Sequence, residues 1–215
     1  MAFSMRRKII RYAFAATWLT LVLLIPPSAE QAQADIVPAK SPKALIGEFH
    51  DALLMVMQNA GSLGYNGRYK QLGPHVRTAF HLRLMIQIAS GPHWRNASES
   101  QKLDLVAAFG KVTIGTYAAR FDGFSGQSFK TLTTKPGPQG TQMVETRLIN
   151  PGGGDVELTY VTKQVKGSWR IIDVILDTGI SELALRRSEY RRILKQSGID
   201  ALIAILNAKA AALDH

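Results

Sequence analysis

Few residues in this chain are spaced for chemistry, and two aspartates come nearest. Asp173 and Asp177 lie four apart. On a strand they would share a face, roughly 13 Å apart, which is far for paired acid–base work. Asp173 reads better as a hydrogen-bond anchor near a strand–helix joint. Ser125, Ser128 and Ser181 have no motif that would activate them. Gly123-Phe124-Ser125-Gly126 sets its second glycine one residue too early for a nucleophile elbow. His50, His75, His81 and His93 are scattered, and none pairs with an acidic residue at a zinc-ligand spacing. Gly152-Gly153-Gly154 lacks the following Lys and Ser/Thr of a phosphate loop and reads as a hairpin turn. Cysteine is absent, which excludes disulfides, thiolate metal sites and thiol nucleophiles. No catalytic constellation emerges, and no cofactor is called for.

Charge is more concentrated. Arg186, Arg187, Arg191 and Arg192 crowd one predicted helix. They read either as a solvated face, with partners such as Glu182 for Arg186 and Glu189 for Arg192, or as a docking surface for lipid headgroups or an acidic partner. The whole chain carries a formal charge of +10. That favours anionic surfaces or acidic partners without identifying either.

The N-terminus reads as a targeting segment. Arg6, Arg7, Lys8 and Arg11 form a positive region, and Tyr12 to Ile25 is apolar but shorter than the ~20 residues a spanning helix needs. Pro26 and Pro27 end it, and Ala32-Gln33-Ala34 has the small-x-small form of a cleavage site. Residues 1–34 are therefore expected to be a signal peptide, with an uncleaved anchor as the alternative. Residues 35–215 are expected to form one domain. Export would disfavour a nucleic-acid partner, and a core without disulfides must carry the stability.

The positioning elements follow from periodicity. Ser41 and Pro42 open an amphipathic helix to about Asn59, carrying Phe49, Leu53, Val56 and Met57. Gly61, Gly64 and Gly67 should break it. Pro74 should start a second helix with Phe80, Leu84 and Ile88 on one face, stopped by Gly91-Pro92. Ser98 and Gln101 form a capping-box pattern before a helix bearing Val106, Phe109, Tyr117 and Phe121. Ser128–Thr133, Gln142–Ile149, Val156–Val165 and Trp169–Leu176 read as four strands, joined by short turns that imply antiparallel pairing. The fourth is apolar on both faces apart from Arg170 and Asp173, which suggests an enclosed position. Gly179 and Ser181 then turn the chain into two closing helices, separated at Gly198. The fold class is α+β, with helices layered on a four-stranded antiparallel sheet.

The run Trp169–Tyr190, reading WRIIDVILDTGISELALRRSEY, resembles the C-terminal signature of the MlaC, or toluene-tolerance, family of periplasmic lipid carriers. The matching positions are Trp169, Asp173, Gly179, Ser181, Arg186 and Arg187. TYAARFDGFSGQSF (Thr116–Phe129) and GIDALIAIL (Gly198–Leu206) extend the likeness, and SELALRRSEY is similar to a hopanoid-biosynthesis-associated branch. The resemblance implies a curved sheet in an NTF2-like cone with an apolar cavity. It also implies a periplasmic carrier of phospholipid or hopanoid, serving inner- and outer-membrane lipid transport complexes of ABC type, with transient membrane-surface contact.

Phe49, Leu53, Phe80, Leu84, Val106, Phe109, Tyr117, Phe121, Leu148, Leu158, Tyr160 and Trp169 are the apolar candidates. Residue type alone does not separate a filled core from a lined cavity. The resemblance makes them lipid-lining residues. A carrier has a clear physical task. Each exposed CH₂ costs about 0.8 kcal/mol, so a lipid with about thirty faces a barrier on the order of 20 kcal/mol as a free monomer. Shielding it needs no nucleophile, metal or redox group. An enzyme on the same cone acting on an isoprenoid, and an adaptor docking through Arg186–Arg192, remain the alternatives.

Overall fold

A computed structural model describes residues 41–177 and 179–214. The expected signal peptide lies outside the described residues. Helix α1 (Pro42–Gln58) starts as its sequence dictates: the Ser41 hydroxyl accepts from the Ala44 N–H, and Pro42 occupies the first turn. Its apolar stripe, including Ile46, Phe49, Leu53 and Val56, is buried.

The glycine-rich segment departs from expectation. Residues Ala60–Ala79 form helix α2, with Pro74 inside it rather than at its start. The backbone leaves helical geometry only at Gly64 (φ 56°, ψ −175°), a region open essentially to glycine alone. Arg68 holds the bend. It is buried, and its Nε donates to the Ala118 carbonyl at 2.8 Å and its Nη1 to that of Ala60 at 3.3 Å. Tertiary packing thus outweighs three weak helix formers.

Helix α3 (Leu82–Ser90) begins two residues after Phe80, so Phe80 lies between helices and not on a helical face. The buried face of α3 carries Met85, Ile86 and Ala89, while Leu84 is half-buried and Ile88 exposed. A short α4 (His93–Asn96) precedes α5 (Glu99–Arg120). Ser98 and Gln101 close the full capping box at its start.

Strands β1 (Ser128–Pro136), β2 (Gln142–Ile149), β3 (Val156–Val165) and β4 (Ser168–Leu176) form an antiparallel sheet in sequence order. The enclosed strand of the sequence reading is therefore an edge strand. Its outer edge is met by backbone bridges from Phe80 to Ile171 and from Ser181 to Ile175, and α6 (Glu182–Ala211) packs against it, as do α1, α2 and α3. Helix α6 is continuous in sequence but breaks at Gly198 (φ 77°, ψ −172°), as expected.

Two irregularities shape the sheet. Leu132 is skipped in the β1–β2 register, and Ile172 in the β3–β4 register. The second has consequences for the site. Strict alternation would put Asp173 on the face of Ile171. The bulge instead pairs Tyr160 with Val174 and Val161 with Asp173. Ile171 and Val174 stay buried, and Asp173 is turned to the opposite face.

Candidate lipid cavity

Between α5, the start of α6 and the inner face of the sheet lies a cavity of about 580 Å³. This is within the ~300–1,000 Å³ usual for small-molecule sites. Its sheet wall is Leu148, Val156, Leu158, Tyr160, Val174 and Leu176. Pairing of Val144 with Tyr160, Thr146 with Leu158 and Leu148 with Val156 sets these side chains on one face. Its helical wall is Phe109, Thr113, Thr116 and Tyr117 of α5, with Phe80, Met57 and Met85 closing the inner side. The α5 positions 109, 113, 116 and 117 fall on one helical face at three- and four-residue steps.

The interior is chemically quiet. The Thr113 and Thr116 hydroxyls donate to the carbonyls four residues back, Phe109 and Val112, each at 2.8 Å. The Tyr160 hydroxyl is engaged from behind by buried His50, whose Nε2 lies 3.1 Å away. His50 also stacks on Phe129 at 3.9 Å. Burial lowers the His50 pKa from 6.5 to about 3, so the ring is neutral at ordinary pH. Burial pushes the Tyr160 phenol well up. Tyr117 keeps some accessible surface because it faces the cavity, yet it is deeply surrounded, and desolvation raises its pKa too.

The mouth is polar. Arg120, Asp122, Ser125, Gln127, Asn150, Glu182 and Arg186 line it. Glu182 stands between two guanidinium groups, 3.8 Å from Arg120 and 3.9 Å from Arg186. Arg186 is only 15% exposed in its side chain. Its guanidinium lies over the Phe109 ring at 5.8 Å and meets the Tyr190 hydroxyl at 3.5 Å.

The start of α6, which brings Glu182, Leu183 and Arg186 to the mouth, is fixed by Asp173. Its carboxylate accepts from the Ser181 hydroxyl at 2.5 Å, from the Leu183 N–H at 3.0 Å and from the Val174 N–H at 2.8 Å. Ser181 in turn caps α6 by accepting from the Ala184 N–H. This is the anchoring role read for Asp173. Gly152–Gly154 form the β2–β3 hairpin loop, with Asn150 accepting from the Gly153 N–H and its side chain donating to the Gly154 carbonyl.

Of the sequence candidates, Phe80, Phe109, Tyr117, Phe121, Leu148, Leu158 and Tyr160 line the cavity. Phe49 stands one layer behind, edge-on to Phe80, Tyr117 and Tyr160 at 5.2, 5.1 and 6.4 Å. Leu53 is fully buried in the core. Leu84, Val106 and Trp169 are half-buried and are not among the lining residues. The four arginines do not act as one face: Arg186 turns into the mouth, while Arg187, Arg191 and Arg192 are exposed. Glu182 pairs with Arg186 as expected, but Glu189 pairs with Lys209 at 3.6 Å instead of with Arg192. The break at Gly198 lets the end of α6 bring Lys209 to Glu189. Sequence reading weighed Ser125 as a nucleophile and Glu182 as a partner of Arg186 but assigned neither to a mouth, and it singled out none of Arg120, Asp122, Gln127 and Asn150, because polar residues on loops and helix ends carry no periodic signal.

Among the described residues, no cluster of His, Asp and Glu could hold a metal ion, and no helix is long and apolar enough to cross a membrane. Helices over an antiparallel four-stranded sheet, enclosing an apolar cavity with a polar mouth, define an α+β ligand-cavity protein. The family described as MlaC protein matches residues 48–208, and the chain belongs to that family. The fold is also that of a solved phospholipid-binding protein from Ralstonia solanacearum, determined in complex with a phospholipid. That likeness has a TM-score of 0.71 at 17% identity, over 83% of this chain and 100% of the other.

Proposed function

We propose that this protein is a periplasmic lipid carrier, the soluble component of an ABC-type lipid transport system, moving phospholipid or hopanoid between membranes. The observation that carries the proposal is the cavity itself. It holds about 580 Å³ between apolar walls whose threonine hydroxyls are spent on their own helix. Such an interior offers hydrocarbon contact and few hydrogen bonds, so it suits an acyl chain or a polycyclic skeleton. Burying a dozen methylenes there offsets on the order of 10 kcal/mol of exposure to water. Membership of the MlaC family supports the same reading, as does the phospholipid held by the structural relative. The reading puts the protein in the periplasm, delivered by residues 1–34, and treats it as a binding protein without an enzymatic step. Asp173, the buttress of the α6 start, is spent on three hydrogen bonds at that joint.

Exposed Phe124, Ile180 and Leu185 lie in the two segments that form the mouth, with exposed Arg187, Arg191 and Arg192 further along α6. Apolar and basic side chains together fit transient contact with an anionic membrane surface or with the membrane complexes that exchange the cargo. The test is mass spectrometry of organic extracts from mature protein purified without detergent. A stoichiometric phospholipid or hopanoid is expected. A protein that is empty, and still empty after incubation with liposomes, would overturn the carrier reading.

A further inference from the structure

We infer that Met57, Phe80 and Met85 form the floor of the cavity and set the length of hydrocarbon chain it accepts, with Phe80 as a fixed stop and the two methionines as its adjustable flanks. The inference rests on the carrier reading and adds a selectivity for chain length, whatever polar group the ligand carries.

Three observations support it. First, the cavity ends on these side chains. Phe109, Phe80, Met57 and Met85 line it yet are only 0, 3, 5 and 6% exposed, so solvent barely reaches between them. The other lining residues Tyr117, Phe121, Leu148, Leu158 and Leu176 are only half-buried. Along α5, Phe109 stands at the closed end and Arg120 at the mouth. At 1.5 Å per residue they are roughly 16 Å apart, so the apolar path has a finite depth. Second, Phe80 is held from several sides. Its backbone bridges to Ile171 of β4, and the next residue, His81, donates its N–H to the Ile171 carbonyl at 2.8 Å. Its ring meets Phe49 edge-on at 5.2 Å and Tyr117 at 5.6 Å. Moving the ring aside would cost both aromatic contacts. Third, both flanking residues are methionines, Met57 in the last turn of α1 and Met85 in the first half of α3. A methionine side chain is unbranched, rotates about three bonds and adapts to irregular gaps. The pair can turn away from a chain end and refill the space when it leaves.

Length then becomes selective for a simple reason. In a bilayer every methylene of a chain is already out of water. A chain that stops above the floor exchanges between bilayer and cavity with little bias from its length. A longer chain pushes its surplus back toward the mouth, and each methylene left unburied lowers affinity by about fourfold. The methionines soften the limit, and Phe80 fixes where it lies.

The test uses delipidated mature protein and phosphatidylcholine vesicles that hold equal amounts of a graded series of acyl-chain lengths. Mass spectrometry reads the ratio of bound to vesicle lipid at each length. Wild type should show a level ratio up to a cut-off, then a fall of about fourfold per surplus methylene. Phe80→Ala should move the cut-off to longer chains. Met85→Ala should move it the same way with less loss of packing, which keeps the inference falsifiable if the first variant folds poorly. Leu84→Ala, off the wall, should leave it in place. A level ratio at every length in wild type would overturn the floor and leave the carrier intact. A cut-off that neither floor variant moves would overturn the assignment of these residues. A wild type that takes up no lipid would overturn the carrier reading and the floor together.

Discussion

Replacing Asp173 by alanine should unlatch the start of α6. The carboxylate accepts two bonds across the strand–helix joint, from the Ser181 hydroxyl and the Leu183 N–H, and one local bond from the Val174 N–H. Hydrogen bonds to a charged acceptor contribute about 1.5–3 kcal/mol each when well shielded. Asp173 is half-buried, so the two long-range bonds belong at the lower end. The negative charge also lies at the N-terminus of α6, which adds a few tenths of a kcal/mol. The expected loss is about 2–4 kcal/mol. An amide in place of this carboxylate keeps the oxygen that serves both N–H groups but loses the acceptor for Ser181, so Asp173→Asn should cost about 1 kcal/mol. Urea titration followed by circular dichroism reads both. With m near 2 kcal/mol/M, the alanine variant should move the midpoint by about 1–2 M at unchanged slope. Because the same joint presents Leu183 and Arg186 to the cavity, folded Asp173→Ala protein should also retain less lipid. A midpoint within about 0.25 M of wild type would refute the latch.

Three further perturbations separate the roles of other residues. His50 is neutral in the fold, with its pKa lowered from 6.5 to about 3 by burial. The unfolded chain binds the proton first, so stability should fall as pH drops from about 6.5 toward 3, by at most about 1.4 kcal/mol per unit. His50→Gln should flatten that slope in acid denaturation, and an identical slope would sink the assignment. Gly198→Ala should cost about 1–3 kcal/mol from backbone strain alone, since a Cβ there would meet nothing within 4 Å. A thermal melt matching wild type would show that the break is not required. Leu158→Asp, on the cavity wall, should abolish lipid retention, whereas Leu84→Asp, off the wall, should leave it intact. Equal loss in both would mean that unfolding, not the cavity, is being measured.

Local chemistry was legible wherever backbone punctuation was unambiguous. The bounds of β2 and β3 follow from Asn150–Gly154 and neighbouring turns, and Ser41, Ser98 and Ser181 each cap the helix they announce. The glycines of α2 misled because propensity is local, while the burial of Arg68, Leu72 and Val76 that holds the helix is tertiary. Strand β4 misled for a related reason. An apolar run looks the same whether strands or helices border it, and in β4 only Ile171 and Val174 are buried. The cavity residues were half legible. Phe109 and Phe49 are the same residue type, each buried on a helix, yet one faces the cavity and the other supports its wall. The bulge at Ile172 leaves no pattern in the sequence, although it decides which way Asp173 points.

The cavity also ties function to stability. If its 580 Å³ were sealed and empty, the cost at about 24 cal/mol per Å³ would approach 14 kcal/mol, comparable to the entire stability of an ordinary domain. The chain does not sustain such a void. Water entering through the mouth finds few partners inside, because the Thr113 and Thr116 hydroxyls are already committed. Hydrocarbon is the filler these walls favour, so lipid and folding should be thermodynamically linked. At a ligand concentration a hundredfold above its dissociation constant, linkage contributes about 2.7 kcal/mol. For a chain of this size that corresponds to a rise of about 5–10 °C in melting temperature. Scanning calorimetry of delipidated mature protein, before and after reloading from vesicles, measures it directly. Coincident melts would mean that the walls close over the emptied space at no cost, and the cavity would then be a breathing core rather than a container.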